Sequence, residues 1–263
     1  MPEGHMMSIE GYWTQRASGY SGTVTEQIEK GTYRHWLNMI LEHLGQCGDL
    51  DVLDVGTGPG FFPVVLGRLG HRVTGVDCTQ AMLDQAGNNC ARYGVDAKFK
   101  RMDAQVLEFP DETFDLVISR NLVWNLDDPK AAYREWLRVL KTEGKLMIFD
   151  GNHYLYLYDK DYASQAPEYA ESHDRIGNVD PKIMERIAEE LPLSSQRGPQ
   201  WDVDTLIELG VRTIKVDTNG RDSLKVVKDG ETVYLPFSFF ICATKKTVRR
   251  VKTGRRYTGF INT

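Results

Sequence analysis

Leu53-Asp54-Val55-Gly56-Thr57-Gly58-Pro59-Gly60 decides how this chain is read. The apolar run from Asp51 to Val55 predicts a buried strand, and the glycines behind it let the backbone turn sharply and stay bare where a ligand approaches. The short helix expected next would offer free N–H groups and the positive end of its dipole. Spacing narrows the choice of ligand. A dinucleotide fingerprint places glycines at the first, third and sixth positions, the last for close helix packing. Counting from Gly56, the sixth position is Phe61, and the third glycine falls one earlier, at Gly60. That pattern speaks against a nicotinamide or flavin.

Working outward, Val73-Thr74-Gly75-Val76-Asp77 is a second apolar strand that ends in a carboxylate. An acid about 20 residues past such a loop can accept both hydroxyls of a ribose. Charge-assisted hydrogen bonds of this kind contribute roughly 1.5–3 kcal/mol. The plainer reading is an aspartate capping the next helix. Strands then alternate with helical patterns: strands at Arg72–Val76, Ala97–Arg101, Phe114–Ser119 and Lys145–Phe149, with helices at Thr79–Tyr93 and Pro129–Leu140. Such alternation calls for a doubly wound α/β fold, a parallel sheet covered on both faces. Upstream, Thr23 with Glu26 forms a capping-box signature for a helix over 24–44, stopped by Gly45. Downstream, residues 152–200 break the rhythm and read as an insertion, aromatic and acidic, with helices near 160–171 and 181–190. A helix at Val203–Leu209 and strands at Val211–Val216 and Val233–Ala243 follow, with a tight turn at Asp229-Gly230.

The bulk composition excludes several classes. The chain has 263 residues, 41% hydrophobic and 26% charged, which is ordinary for a soluble domain with a sizeable core. No apolar run approaches the roughly 20 residues needed to span a bilayer, and the N-terminus lacks the layout of a secretion signal. Gly4-His5-Met6 resembles a cloning remnant, so Met1 to Met6 carry no functional reading. Cys47, Cys78, Cys90 and Cys242 are scattered, which predicts reduced thiols in a cytoplasmic protein and no metal site. A net charge of −5 gives no bulk reason to expect nucleic acid. The basic stretch from Lys245 to Arg256 reads either as a solvated end or as a holder of phosphate groups.

The loop motif, with Gly75-Val76-Asp77 and Gln80-Ala81-Met82-Leu83, resembles the class I S-adenosylmethionine-dependent methyltransferases. Among them it is most similar to the small-molecule members of the menaquinone-methylating kind, over Tyr12 to Asp150. The resemblance implies a Rossmann-like, mostly parallel seven-stranded sheet with an antiparallel edge strand. It also implies a methyltransferase domain over 46–263 and an N-terminal helical cover over the cofactor at 7–45. Carried over by position, Asp54, Gly56, Thr57, Gly58 and Gly60 would shape the pocket for the methionine part of S-adenosylmethionine. Asp77 would bind the ribose, Cys78 and Met82 would flank the adenine, and Asp103 with Ala104 would meet its amine edge. Arg120, at the exit of the fourth strand, and Tyr12, Arg16 and Tyr20, in a segment that folds over the cofactor, complete the implied set. Leu137 to Gly144 resembles the family's turn before the fifth strand, with Thr142 where proline is usual.

Methyl transfer from a sulfonium needs alignment and water exclusion, and a base only if the acceptor must lose a proton. The candidate base is His153, just past the fifth strand, against the plain reading of an ordinary loop histidine; His173 is a weaker candidate. Tyr154, Tyr156 and Tyr158 alternate and would share one face of an extended segment, either as an aromatic wall for the acceptor or as packing. Trp124 and Asn125 are placed to line the acceptor pocket. Arg120-Asn121-Leu122-Val123 lacks the Asn/Asp-Pro-Pro-Tyr signature of base-amine methylation, and no Pro-Cys pair is present. A small-molecule acceptor is therefore expected and nucleic acid disfavoured. A catalytically silent cofactor-binding protein, or an RNA- or protein-directed enzyme using the basic tail, is the alternative.

Overall fold

Alternate apolar residues sort themselves onto two faces of one sheet, and that sorting builds the molecule. The computed structural model describes residues 3–45, 48–163, 179–180, 182–218, 223–228 and 230–246. The strands are β1 (Asp51–Val55), β2 (Arg72–Asp77), β3 (Lys98–Arg101), β4 (Phe114–Arg120), β5 (Leu140–Gly151), β6 (Thr213–Asp217), β7 (Ser223–Lys228), β8 (Glu231–Pro236) and β9 (Ser238–Thr244). The helices are α1 (Glu3–Glu29), α2 (Arg34–Leu44), α3 (Phe61–Gly67), α4 (Gln80–Arg92), α5 (Pro129–Val139), α6 (Lys182–Ala188) and α7 (Gln200–Glu208). Seven strands form one sheet in the order β3-β2-β1-β4-β5-β9-β6, and β7 pairs with β8 in a separate hairpin.

On one face Leu53, Val55, Val117, Leu146 and Ile148 pack with Trp136 and Tyr133 of α5. Their sequence neighbours Val52, Leu116, Ile118 and Met147 face the other way, against Phe62 and Leu66 of α3 and Ile40 of α2. Strands buried on both faces read as continuous apolar runs, as the sequence predicts for a parallel sheet. A third cluster joins Tyr12 of α1 to Trp124, Tyr154, and Met184 and Ile187 of α6. It docks the segment after β5 against the N-terminal helix.

Several boundaries differ from expectation, each for a physical reason. The helix over 24–44 is two helices, because Lys30 to Tyr33 form a turn in which Gly31 takes a left-handed φ of 72°. Thr23 and Glu26 cap nothing: α1 runs straight through them, and Glu26 pairs with Lys30 one turn on. The antiparallel strand, β9, lies one place in from the edge, between β5 and β6. Phe239, Phe240, Ile241, Cys242 and Ala243 are all buried, so β9 needs cover on both sides, whereas the more exposed β6 tolerates the edge. The strand expected over Val233–Ala243 is divided at Phe237, a bend between β8, which ends at Pro236, and β9, which begins at Ser238 and joins the other sheet. The helix near 181–190 is α6, while the one near 160–171 falls largely outside the described residues, as do His173, Cys47 and most of the basic tail. No described helix is long and apolar enough to cross a membrane.

Trp136 is fully buried and its indole N–H donates to Ala104 O at 2.9 Å, tying α5 to the loop after β3. Trp136→Ala is expected to cost about 3–5 kcal/mol through the cavity and the orphaned carbonyl. Urea unfolding followed by circular dichroism should show the lowered midpoint.

Candidate functional site

The chain leaves β1 through Gly56, Gly58 and Gly60, with left-handed φ values of 68°, 50° and 83°. A Cβ on Gly60 would lie 3.1 Å from the Ala86 backbone, and one on Gly56 would lie 2.7 Å from the Leu122 side chain. Close approach, as well as conformation, therefore demands glycine here. The N–H groups of Gly56 and Thr57 both donate to Val76 O at 2.9 Å. The Thr57 hydroxyl donates to Asp54 Oδ2 at 2.6 Å. Asn89 of α4 donates to Pro59 O at 2.8 Å and to the Ser21 hydroxyl of α1 at 3.0 Å, locking the loop between two helices. Sequence reading missed Asn89 and Ser21; a polar residue in the otherwise apolar stripe of α4 was the available signal.

Asp77, at the end of β2, accepts from the Gly58 N–H at 3.0 Å and the Thr79 N–H at 2.9 Å. Both oxygens are engaged, yet a carboxylate offers about four lone-pair directions, so it retains capacity for a ligand. Burial raises its pKa, and the backbone hydrogen bonds from Thr79 and Gly58 oppose that shift. Asp54 is buried too, and its carboxyl is pushed up to about 7, chiefly by burial, with the Thr57 hydrogen bond and the Arg120 charge pulling down. Burial likewise holds the Cys78 thiol at about 12, neutral at any ordinary pH. Met82 and Ala104 are buried, and Asp103 accepts the Gln105 N–H at 2.9 Å.

Arg120 leaves β4 beneath α1, α2 and α3. Its guanidinium carbon lies 4.0 Å from the Phe61 ring centroid and 5.0 Å from that of Trp36, and Nη2 donates to Gln27 Oε1 at 3.2 Å. Nη1 is buried with no protein hydrogen-bond partner. Along α1, Tyr12, Arg16 and Tyr20 are spaced by four and lie on one helix face. Tyr12 and Arg16 are buried and hydrogen-bonded to each other, and a Cβ on Gly58 would meet the Tyr20 ring at 3.7 Å. Arg101 bonds Cys78 O at 2.9 Å and Glu10 at 2.7 Å, joining β3 to α1.

A second group gathers beyond β4 and β5. Asp150 accepts from the Val123 N–H at 2.7 Å and the Gly151 N–H at 2.8 Å, with His153 Nε2 at 3.5 Å. The Trp124 ring lies 5.3 Å from His153 and 5.1 Å from Tyr154 between centroids. The alternating tyrosines are not on an extended segment: Leu155–Leu157 is a 3-10 turn, because Leu155 turns into the core. Tyr154 is buried, Tyr156 donates to Glu185 at 2.6 Å, and Tyr158 is half exposed, donating to Glu189 O at 2.7 Å. Tyr156 thus fastens α6, and Asn125 is buried in its own turn with Oδ1 unpartnered. Among the described residues no cluster of three or more His, Cys, Asp or Glu could hold a metal.

Comparison with known proteins adds the following. Residues 53–148 match the family model described as a methyltransferase domain. The chain is 34% identical over 135 residues to the ubiquinone/menaquinone biosynthesis C-methyltransferase UbiE of Desulfotalea psychrophila, covering 51% of this chain and 54% of that protein. It is 36% identical over 107 residues to a phosphatidylethanolamine N-methyltransferase of Cereibacter sphaeroides, covering 39% and 50%. These matches span about half the length of the relatives. A solved structure from Methanococcus maripaludis, provisionally described as an S-adenosyl-L-methionine-dependent methyltransferase, superposes with a TM-score of 0.61 at 20% identity over 89% of this chain and 94% of that one. At that identity the likeness establishes the fold.

The Asp54 shift has a stability consequence. Its folded-state pKa of about 7 exceeds the ordinary 3.8, so between those values the folded chain keeps a proton that the unfolded chain releases. Stability from this group therefore falls as pH rises from about 4 to about 7, then levels off. Asp54→Asn is expected to shrink the drop in melting temperature between pH 5 and pH 8, measured by differential scanning fluorimetry.

Proposed function

We propose that this chain, whose residues 53–148 match a methyltransferase domain, is a class I S-adenosylmethionine-dependent methyltransferase that methylates a small-molecule acceptor. One observation carries the reading. At the carboxyl ends of β1, β2 and β4, a bare left-handed loop, a carboxylate with spare lone pairs and a buried unpartnered guanidinium nitrogen converge. Ligands of doubly wound sheets bind at that edge.

These groups fit S-adenosylmethionine part by part. Arg120 Nη1 matches a carboxylate, Asp77 matches a ribose diol, and the backbone of Gly56, Thr57, Gly58 and Gly60 gives the amino-acid end close approach, with Asp54 beneath it. Cys78, Met82, Asp103 and Ala104 are assigned to the adenine, and residues 7–45, through Tyr12, Arg16 and Tyr20, to the cover. The cofactor supplies a methyl group already activated on sulfur. What the protein adds is alignment and exclusion of water, for which α1 over the loop is suited. Trp124 and Tyr154 are assigned to the acceptor wall, and His153, whose Nε2 lies 3.5 Å from Asp150, to the proton of an acceptor that carries one. The partial likeness to relatives named for a quinone-pathway C-methyltransferase and a phospholipid N-methyltransferase supports a small-molecule class without choosing an acceptor.

Titration calorimetry with S-adenosylhomocysteine tests the cofactor site. Asp77→Ala is expected to weaken binding about 10- to 100-fold, the loss of a charge-assisted pair; undiminished affinity removes Asp77 from the site. Labelled methyl transfer into fractionated cell extract tests the acceptor: label in the small-molecule fraction supports the reading, and label confined to RNA or protein overturns it.

A further inference from the structure

In the loop after β3, Gln105 is buried although its side chain is long and polar. Its Oε1 accepts from the Asp128 N–H at 2.6 Å. A backbone N–H can only donate, so the amide oxygen must face Asp128 and Nε2 must face the other way. There Nε2 donates to Asp103, to Oδ1 at 3.0 Å and to Oδ2 at 3.3 Å, and the Gln105 N–H donates to the same Oδ1 at 2.9 Å. Asp128 in turn caps α5 by accepting from the Ala131 N–H at 2.9 Å. Gln105 therefore ties the Asp103 carboxylate to the start of a core helix, with its amide held in one direction.

The rest of the loop is fixed in place as well. Glu135 of α5 accepts from the Leu107 N–H at 3.1 Å, and the Met102 N–H donates to Asp77 O at 3.1 Å, which sets the exit of β3 beside that of β2. Asp103 itself is only half-buried. Its Oδ1 takes the two shorter bonds and Oδ2 only the longest, so Oδ2 keeps lone-pair capacity for a ligand. What such an oxygen recognises is a donor. The exocyclic amine of adenine donates, whereas the carbonyl at the same place on hypoxanthine accepts and would set lone pairs against lone pairs. The plainer reading makes Gln105 a buried amide that only satisfies its own loop. Both readings keep the loop folded, but only one links Gln105 to the choice of base.

We propose that Gln105 is a positioning residue that presents Asp103 as a hydrogen-bond acceptor, and that this chain thereby selects adenine over hypoxanthine in its nucleoside ligand. The identity of the base rests on the methyltransferase reading, which assigns Asp103 to the adenine; the direction of the Gln105 amide does not. That direction makes a demand on any amide placed at 103. In Asp103→Asn the side-chain oxygen must take the place of Oδ1, where the Gln105 N–H and Nε2 both point, and the NH2 group falls where Oδ2 was. The position then offers the base a donor, and the preference turns toward hypoxanthine.

The test is titration calorimetry on the full chain with S-adenosylhomocysteine and S-inosylhomocysteine, each variant being checked for fold by circular dichroism. The wild-type chain is expected to favour the adenosyl ligand about 10- to 100-fold. Gln105→Ala should cut that ratio about tenfold, chiefly by weakening the adenosyl ligand. Asp103→Asn should invert it, so that the inosyl ligand binds more tightly. Equal binding of the two ligands by the wild-type chain, or an unchanged ratio in folded Gln105→Ala, would overturn the proposal. Equal affinities or a surviving adenosyl preference in Asp103→Asn would overturn it even if Gln105→Ala failed to fold. A wild-type chain that bound neither ligand would instead strike the methyltransferase reading itself.

Discussion

The Asp77 carboxylate holds two turns together, and the rest of the site depends on that. By accepting from Gly58 on one side and Thr79 on the other, it fixes the exit of β1 against the entry to α4. Both donors are backbone N–H groups that no helix or strand could satisfy, so the aspartate removes a cost of burial while shaping the loop. The plain reading, an aspartate serving the next helix, and the functional one, a ribose acceptor, are not rivals here. One carboxylate has lone pairs for both.

Around this centre, α1 acts as a third wall. The apolar cluster that Tyr12 shares with Trp124 and Tyr154, and the bonds of Asn89 to Ser21 and to Pro59 O, fasten it to both the segment beyond β5 and the glycine loop. The exposed pairs Arg92–Glu29 and Arg101–Glu10 also link it to α4 and β3 but contribute little energy, about 0–1 kcal/mol each. The same wall touches the surroundings of both proposed ligands. A guest entering either region must therefore contend with the packing of α1.

The inserted segment is built differently. To the apolar cluster that docks it, it adds polar ties: Arg197 to Asp159 and Asp161 and Asn152 to the Gly198 carbonyl within the segment, and Lys228 to Asp161 and Asn152 to the Pro236 carbonyl across to the β7–β8 hairpin. Asn152 and Asp202 are buried at this junction, and each has a hydrogen-bonding partner. The end of the segment also reaches the sheet, because Leu193 and Trp201 pack against the core face that α5 and Leu206 of α7 cover.

By itself the sequence determined the sheet through β5, the glycine loop and the position of Asp77, because periodicity and turn chemistry are local and these elements follow them. It also carried the methyltransferase resemblance, since each of the short motifs behind it is local in the chain. It did not determine that α1 passes straight through Thr23 and Glu26, that β9 slots inside β6, or that Tyr156 leaves its expected face to hold Glu185. Nor could it gather Asp150, Ser194 and Asp202 around one cleft. Those outcomes are decided by long-range competition for burial and for hydrogen-bond partners, among residues far apart in the chain, and only the packed structure resolves that competition.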